Sequence, residues 1–307
     1  MRHYRAGLVG AALLSIGLLA SACGNSADGA APEPAGTTAE DVSVVASTNV
    51  YGDIVRQIAG DKVTITSIIS DPAADPHSYE ANTRTQLELS QADLVIENGG
   101  GYDDFVDTML KAANSDAKVL NAVDLSGKKA TGGAELNEHV WYDLPSMSTL
   151  ADQIVGALST ADPGDATTFT ANAATFKQKL QDLEKTATEV KSAHSGAGVA
   201  ITEPVPLYLL AACGLVNKTP GEFSEAIEEG TDVPASVLNE TLGLFTGKQV
   251  KLLAYNEQTA GPETEKVLQA AKDNQVGVVP VTETLPAGKD YVAWMSGNLA
   301  AIKTALG

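Results

Sequence analysis

The chain has 307 residues, of which 39 are acidic and 20 are lysine or arginine, so its formal net charge is −19. This acidic balance argues against a nucleic-acid partner, because binding to phosphate backbones depends on basic patches. Only two cysteines occur, Cys23 and Cys213, so if Cys23 is acylated, Cys213 has no partner and no disulfide framework supports the fold.

The first 22 residues have the pattern of a secretory signal peptide. Arg2 and Arg5 form a basic start, and the apolar run of residues 8–20 is too short to span a bilayer as a helix. The sequence Ala20-Ser21-Ala22-Cys23 resembles a lipobox, in which Cys23 is lipidated and becomes the mature N-terminus. An ordinary signal-peptidase site after Ala22, with Cys23 incidental, is the alternative.

Residues 23–41 are predicted to form the lipid anchor and a flexible tether. They are rich in Gly, Ser, Ala, Pro and Thr and contain no aromatic residue and no periodic pattern. Removing residues 1–22 removes two arginines and no acids, leaving 18 basic and 39 acidic residues and a net charge of −21. The remaining chain is long enough for two domains of ordinary size.

Residues 42–160 are predicted to form a first α/β lobe. Short β-branched runs alternate with helical patterns, and this alternation is typical of a parallel sheet flanked by helices. Strands are predicted at 43–47, 63–69, 93–97 and 118–123, and helices at 51–59, 83–90, 103–113 and 145–160.

Residues 161–195 are predicted to contain one long linking helix. Its apolar positions are spaced by 3, 4, 3, 4 and 3 residues, which gives a single stripe over about five turns; they are Ala173, Phe176, Leu180, Leu183, Ala187 and Val190. A helix of about 30 residues reaches about 45 Å. We therefore expect it to run along both halves of the molecule as a rigid backbone.

Residues 196–307 are predicted to form a second α/β lobe, because the alternation restarts after the long helix. Strands are predicted at 199–202, 250–255 and 276–281, and helices from 204 and at 234–246, 262–274 and 291–306. The predicted fold class is α/β, with two parallel-sheet lobes joined by one long helix and a ligand cleft between the lobes.

Four metal-competent side chains follow predicted strands. His77 and His139 do so in the first lobe, and Glu203 and Glu283 in the second. Sites in parallel α/β sheets form where the carboxyl ends of the strands converge. Two neutral imidazoles and two carboxylates carry a charge of −2, which a divalent cation neutralises.

Each candidate has a simpler interpretation when it is taken alone. A histidine in a polar loop is usually exposed or satisfied by a hydrogen bond. Glu203 precedes Pro204 and suits the first turn of a helix, where a negative charge is stabilised. Glu283 suits an exposed loop. The prediction of a metal site therefore depends on the four residues as a set.

The candidates lie in four motifs that follow a fixed order along the chain. The motifs are Asp75-Pro76-His77-Ser78-Tyr79-Glu80, Asn137-Glu138-His139-Val140-Trp141-Tyr142-Asp143, Thr202-Glu203 and Thr282-Glu283-Thr284-Leu285. In this order the chain resembles the metal-binding receptors of zinc and manganese ABC importers, a family that includes surface-adhesin-like lipoproteins. The resemblance extends from Ser43 to the end, and it implies that His77, His139, Glu203 and Glu283 are the metal ligands.

The chain departs from the family pattern at several positions. Glu138 stands where Pro is common, and Glu283 stands where the family usually has the shorter Asp. Zinc receptors of the family often carry a His-rich loop and a third His ligand, whereas residues 126–136 contain no His and the third position is Glu203. Oxygen ligands favour Mn²⁺, although Zn²⁺ binds more tightly at most sites. Mn²⁺, Zn²⁺ and Fe²⁺ all stay open as the metal.

The resemblance implies a receptor rather than an enzyme. The expected ligand is a transported Mn²⁺ or Zn²⁺ ion, with no catalytic cofactor. The expected protein partner is the permease of an ABC importer that works with a separate ATPase. The expected location is extracytoplasmic, either on the outer face of the cell membrane, held there by the N-terminal lipid, or in the periplasm. No G-x-x-x-x-G-K-[ST] motif, the phosphate-binding loop of ATPases, occurs in the chain, so ATP hydrolysis is assigned to the separate ATPase. The chain is expected to be a monomer.

Three other functions compete with this prediction. A zinc metalloenzyme requires a similar ligand set with an open position, but no HExxH or HxH motif occurs. A metal-dependent adhesin or structural lipoprotein would hold its metal permanently. A receptor for an organic solute predicts a cleft lined by aromatic residues, and the aromatic residues near the candidates belong to the ligand motifs themselves.

Overall fold

The computed structural model describes residues 41–74, 76–130 and 135–307, which belong to one compact unit, Glu40–Gly307. The predicted signal peptide at 1–22, the predicted lipidation site Cys23 and all but the last residue of the predicted tether lie outside the described residues. Within the described ranges, no helix combines the length and the apolar character that crossing a bilayer requires.

The first lobe contains a sheet of four parallel strands in the order β2-β1-β3-β4. Strand β1 lies at the centre, and its Val44 pairs with Ile65 on one side and Leu94 on the other. Its elements are β1 Ser43–Thr48, α1 Asn49–Ala59, β2 Thr64–Ile69, α2 Thr83–Ser90, β3 Leu94–Glu97, α3 Phe105–Ala113, β4 Lys118–Asn121, α4 Ala122–Ser126 and α5 Leu144–Ala161.

The second lobe repeats this arrangement with a parallel sheet in the order β6-β5-β7-β8. Strand β5 is central, and Val199 pairs with Asn217 and Leu252. Its elements are β5 Gly198–Ile201, α7 Leu207–Ala212, β6 Val216–Asn217, α8 Gly221–Glu228, α9 Ala235–Thr246, β7 Leu252–Asn256, α10 Pro262–Asp273, β8 Gly277–Val281 and α11 Tyr291–Leu306. The predicted α/β class with two parallel-sheet lobes is confirmed.

The long helix α6, Ala166–His194, joins the two lobes. Its 29 residues give a length of about 44 Å. It packs against α1 and α5 of the first lobe and against α7 and α11 of the second. All six predicted stripe residues are buried, together with Phe169 one turn earlier. The predicted linking helix is confirmed, whereas the exact lobe boundaries stay a prediction.

Two parts of the predicted secondary structure need correction. The strand predicted at 118–123 ends at Asn121, because the Asn121 side chain accepts a hydrogen bond from the Asp124 backbone N–H and so caps helix α4. Strand β6 and helix α8 were not predicted. A two-residue strand is too short to produce a periodic pattern in the sequence.

The carboxyl ends of both sheets face one cleft, and hydrogen bonds cross it. Tyr142 donates to the Thr282 carbonyl at 2.8 Å, and Tyr208 donates to the Asn137 carbonyl at 2.7 Å. Tyr291, at the start of α11, donates from its hydroxyl to the Trp141 carbonyl at 2.6 Å. These buried and half-buried contacts hold the two lobes together around the ends of the strands, where ligands bind in folds of this kind.

Candidate metal centre

Each predicted ligand lies just beyond the secondary structure that positions it. His77 lies on a short 3-10 turn, Pro76–Ser78, after β2, and His139 immediately precedes the 3-10 turn Val140–Tyr142. Glu203 and Glu283 each follow the last residue of a strand, β5 and β8, by two positions. Glu203 and Glu283 therefore lie at the carboxyl ends of strands, whereas His77 and His139 lie in loops at or beside short 3-10 turns.

The structure brings both histidines to one oxygen of Glu283. Nε2 of His77 lies 3.4 Å from Oε2 of Glu283, and Nε2 of His139 lies 3.8 Å from the same atom. The two imidazole rings are 6.0 Å apart between centroids. His139 is fully buried and Glu283 is 1% exposed, whereas the His77 side chain is 23% exposed. The site is closed on the His139 side and reaches solvent beside His77.

Glu203 is the fourth predicted ligand and is 2% exposed. Thr259 donates a hydrogen bond to Oε2 of Glu203 at 2.5 Å, while the buried Oε1 of Glu203 accepts none from the described part of the chain. Burial and the nearby charge of Glu283 raise the pKa of Glu203 to about 7, although Thr259, Asn256 and His139 oppose the shift. A buried carboxylate oxygen with no donor is suited to a cation.

Asn137 fixes the orientation of the His139 ring. Its Oδ1 accepts hydrogen bonds from Nδ1 of His139 at 2.8 Å and from the His139 backbone N–H at 3.1 Å. The Asn137 amide nitrogen donates to the Pro204 carbonyl at 3.1 Å. This bond distinguishes the nitrogen from the oxygen of the Asn137 amide, so the atom that faces His139 is the oxygen. Because Nδ1 carries the proton in this bond, the neutral ring presents the lone pair of Nε2 to the cleft.

Glu283 is held by three side chains. Asn256 donates to Oε1 at 3.0 Å, and Tyr102 of the first lobe donates to Oε2 at 3.2 Å. Gln258 accepts a hydrogen bond from the Glu283 backbone N–H at 2.6 Å. The carboxylate is therefore oriented before any ligand binds, which is the usual role of residues that surround a metal ligand.

The positive charge of the imidazoles balances the buried carboxylate in the absence of a metal. Burial disfavours the charged form of His77, but its contact with Glu283 outweighs burial and raises the pKa of His77 to about 9. Burial likewise disfavours ionised Glu283, yet the contacts with His139 and His77 lower its pKa to about 2. A cation that enters the site would replace protons on the histidines.

The separations between these atoms fit a shared cation better than direct hydrogen bonds. Charge-assisted N–H···O bonds are about 2.7 to 2.9 Å long. Two donor atoms bound at about 2.0 to 2.2 Å to one tetrahedral ion lie about 3.3 to 3.6 Å apart. The observed separations of 3.4 and 3.8 Å lie near that range, and Nε2 of His139 makes no hydrogen bond to any residue that the structure describes.

Two acids near the histidines were not predicted as site residues. Glu138 and Glu228 offer oxygens that lie, with nitrogens of His77 and His139, within 4.8 Å of one another. Oε1 of Glu228 is 3.5 Å from Nε2 of His139. Burial raises the pKa of Glu228 to about 7, against the opposing charge of His139. Glu138 was noted in the sequence only as a departure from Pro.

A cavity of about 900 Å³ leads from His77 to the surface. Its wall carries five acids, which are Glu135, Glu138, Glu225, Glu228 and Glu229. Gly100 and Gly101, in the loop after β3, line the same cavity, and Gly99, Gly100 and Gly101 have φ values of 77°, 70° and 99°. Other residues rarely adopt this conformation, and a Cβ at Gly99 would lie 2.2 Å from the Asn121 side chain.

The sequence has curated relatives that are named for metal binding. The manganese-binding lipoprotein MntA of Bacillus subtilis is 26% identical over 276 residues, which cover 88% of this chain and 86% of that protein. The metal ABC transporter substrate-binding lipoprotein ScbA of Streptococcus cristatus is 31% identical over 165 residues, or 50% of this chain. That match spans about half of the relative, 52% of its length.

The fold also has solved counterparts. The periplasmic zinc binding protein TroA of Treponema pallidum matches with a TM-score of 0.73 and 20% identity, covering 87% of this chain and 100% of that chain. The family model described as "Zinc-uptake complex component A periplasmic", ZnuA, matches residues 44–305. These findings confirm the resemblance that the ligand motifs indicated. Because the match spans nearly all of the described residues, the chain belongs to the ZnuA family.

Proposed function

We propose that this chain is an extracytoplasmic receptor that captures one divalent transition-metal ion, Mn²⁺ or Zn²⁺, and delivers it to an ABC-type importer. Family membership supports the class of protein. The relatives MntA, a manganese-binding lipoprotein, and ScbA, a metal ABC transporter substrate-binding lipoprotein, support the proposed ligand and the proposed partner. The permease and a separate ATPase are the partners that this role requires.

The proposed ligands are His77, His139, Glu203 and Glu283. The observation that carries this assignment is the approach of both Nε2 atoms to one buried Glu283 oxygen, at 3.4 and 3.8 Å. Glu203 contributes a buried oxygen that has no hydrogen-bond donor among the described residues. With neutral imidazoles, the four ligands carry −2 and match the charge of the ion.

Binding draws ligands from both lobes and so clamps them together. The histidines come from the first lobe and the carboxylates from the second, while α6 contacts helices of both lobes. A rigid helix of this length restricts rotation of one lobe against the other. We therefore expect small movements of the loops around His77 rather than a wide hinge closure.

Lipid anchoring belongs to this proposal, because the two relatives above are named lipoproteins. Acylation of Cys23 after removal of residues 1–22 would hold the mature chain, as a monomer, on the outer face of the membrane. Residues 23–41 would then act as the tether. Metabolic labelling with a fatty acid tests this, because Cys23→Ser should abolish the label and Cys213→Ser, which changes a buried thiol, should not.

The role is binding without chemistry. The purified, metal-loaded protein is expected to show no steady turnover of ester, amide or phosphate substrates. The alternative of a metal-dependent adhesin predicts that a deletion strain takes up radioactive Mn²⁺ and Zn²⁺ at the normal rate. A transport receptor predicts that uptake falls and that the wild-type gene restores it.

Calorimetric titration of the metal-stripped protein tests the site directly. We expect one ion per chain for the wild type and a loss of affinity of at least about tenfold for His77→Ala, since removal of even an outer-shell partner costs 10- to 100-fold. His194→Ala is the matched control, because His194 ends α6 and belongs to none of the clusters around the site. Full affinity of His77→Ala would contradict the ligand assignment.

A further inference from the structure

Helix α8 turns one acidic face toward the cavity that leads to the site. Gly221, Ser224, Glu225 and Glu228 line this cavity, and their spacing of 3, 1 and 3 residues places them on one side of a helix. Glu225 is exposed, whereas the Glu228 side chain is only 14% exposed. The last residue of α8 therefore turns inward, toward the histidines.

Glu228 and His139 approach each other without forming a hydrogen bond. Oε1 of Glu228 is buried and makes no hydrogen bond to any described residue, and the same holds for Nε2 of His139. The two atoms are 3.5 Å apart. Buried polar atoms are nearly always satisfied, so a pair of facing, unsatisfied atoms indicates a shared partner that lies between them. A separation of 3.5 Å allows both atoms to contact one ion at bond lengths of about 2.0 to 2.2 Å.

We propose that Glu228 is a further direct ligand of the captured ion, which it would bind beside His139. This inference rests on the proposed function and adds the kind of ion that the site prefers. Three carboxylates and two imidazoles give five donors and a charge of −3. Such a set exceeds the four ligands of a tetrahedral Zn²⁺ site and favours an oxygen-preferring ion of higher coordination number, Mn²⁺.

Substitutions at Glu228 distinguish ligation from a general effect of charge. In the purified, metal-stripped protein, Glu228→Gln should weaken Mn²⁺ binding at least about tenfold and Zn²⁺ binding less, so that the preference for Mn²⁺ falls. Glu228→Asp keeps the charge but shortens the side chain, and it should also lose Mn²⁺ affinity. Glu229→Gln is the control, because it removes the same charge from an exposed neighbour, and it should change affinity less than threefold.

Cobalt provides a readout of the number of ligands. Co²⁺ absorbs more strongly in the visible range when its coordination number falls to four, so Glu228→Gln should intensify the spectrum of the Co²⁺-loaded protein. An unchanged spectrum, together with Mn²⁺ affinity equal to that of Glu229→Gln, would overturn the proposal for Glu228. In that case the proposed function still stands if His77→Ala abolishes binding, whereas a wild-type protein that binds neither Mn²⁺ nor Zn²⁺ would overturn both.

Discussion

Gln258 links the carboxylate ligand Glu283 to the loop that carries the first histidine. Its side-chain oxygen accepts a hydrogen bond from the Glu283 backbone N–H at 2.6 Å. Its amide nitrogen donates to the Ala74 carbonyl of the first lobe at 2.7 Å and to the Thr284 hydroxyl at 2.8 Å. The half-buried Gln258 side chain thus joins the two lobes. It contacts the first lobe at Ala74, three residues before His77, and the second lobe at Glu283 itself.

We expect Gln258→Ala to reduce metal affinity by about 10- to 100-fold, the usual effect of removing an outer-shell partner of a ligand. The physical reason is that Glu283 and the loop at residues 72–74 lose a shared anchor. Titration of Mn²⁺ into the stripped protein measures the change. Gln269→Ala is the control, because exposed Gln269 donates to Asp273 within α10. Equal affinities for the two variants would contradict this role.

Asn137 gives a second prediction, which concerns the proton on His139. Asn137→Ala removes the acceptor of Nδ1–H, so the neutral ring is free to place its proton on Nε2, where the metal should bind. Affinity should fall by about 10- to 100-fold. Asn137→Asp keeps an acceptor oxygen and should retain more affinity, although it loses the bond to Pro204. Nitrogen NMR of His139 reports the tautomer, and an unchanged tautomer in Asn137→Ala would contradict the mechanism.

The positions of three of the candidate ligands could be predicted because strand ends are easy to locate in the sequence, whereas their role as ligands stays a prediction. His77, Glu203 and Glu283 follow runs of β-branched residues, and the parallel sheet order then brings strand ends together. The same holds for the stripe on α6, where the spacing of apolar residues alone predicted which side is buried. Both predictions depend on patterns that repeat over several residues.

Glu228 was not predictable in this way. It lies at the end of a helix, and the short strand β6 that leads into this helix has no periodic signal. The run from Glu222 to Glu229 contains four acids at positions 222, 225, 228 and 229. Such a pattern is typical of a helix face that is exposed to solvent. Only the approach of α8 to the cleft separates the buried Glu228 from its exposed neighbours. The acidic face at spacings of three and four residues was the one available signal.

The pH dependence of metal binding follows from the proton on His77. A ligand histidine must be neutral, and the pKa of His77 is raised to about 9 in the metal-free protein. Affinity should therefore rise as the pH increases from about 6.5 to 9, by up to about tenfold per pH unit for one displaced proton. Calorimetry in buffers of different ionisation enthalpy counts the protons released. A flat profile over this range would contradict the assignment of His77.

The stability of the metal-free protein should fall as the pH rises, whereas its metal affinity should rise. Glu203 and Glu228 have pKa values raised to about 7, above the ordinary 4.5, and that of His77 is raised from 6.5 to about 9. The folded state therefore binds more protons than the unfolded state between about pH 4.5 and 9, and its stability falls as the pH rises. Thermal unfolding without metal should show a decreasing midpoint over this range, and saturating Mn²⁺ should produce a larger increase at pH 8 than at pH 6.

Phe176 tests whether α6 couples the two lobes into one folding unit. Its ring is 1% exposed on α6 and lies 6.0 Å, between centroids, from the ring of Tyr291 on α11. Phe176→Ala should lower the free energy of unfolding by about 3 to 5 kcal/mol, since it leaves a cavity in a closely packed core. Thr175→Ala, an exposed neighbour on the same helix, should change it by less than about 0.5 kcal/mol.

If the lobes unfold together, tryptophan fluorescence from Trp141 and Trp294 and far-UV circular dichroism will lose signal in one transition at the same denaturant concentration. Separate transitions in the Phe176→Ala protein would mean that each lobe folds on its own and that α6 serves only as a spacer.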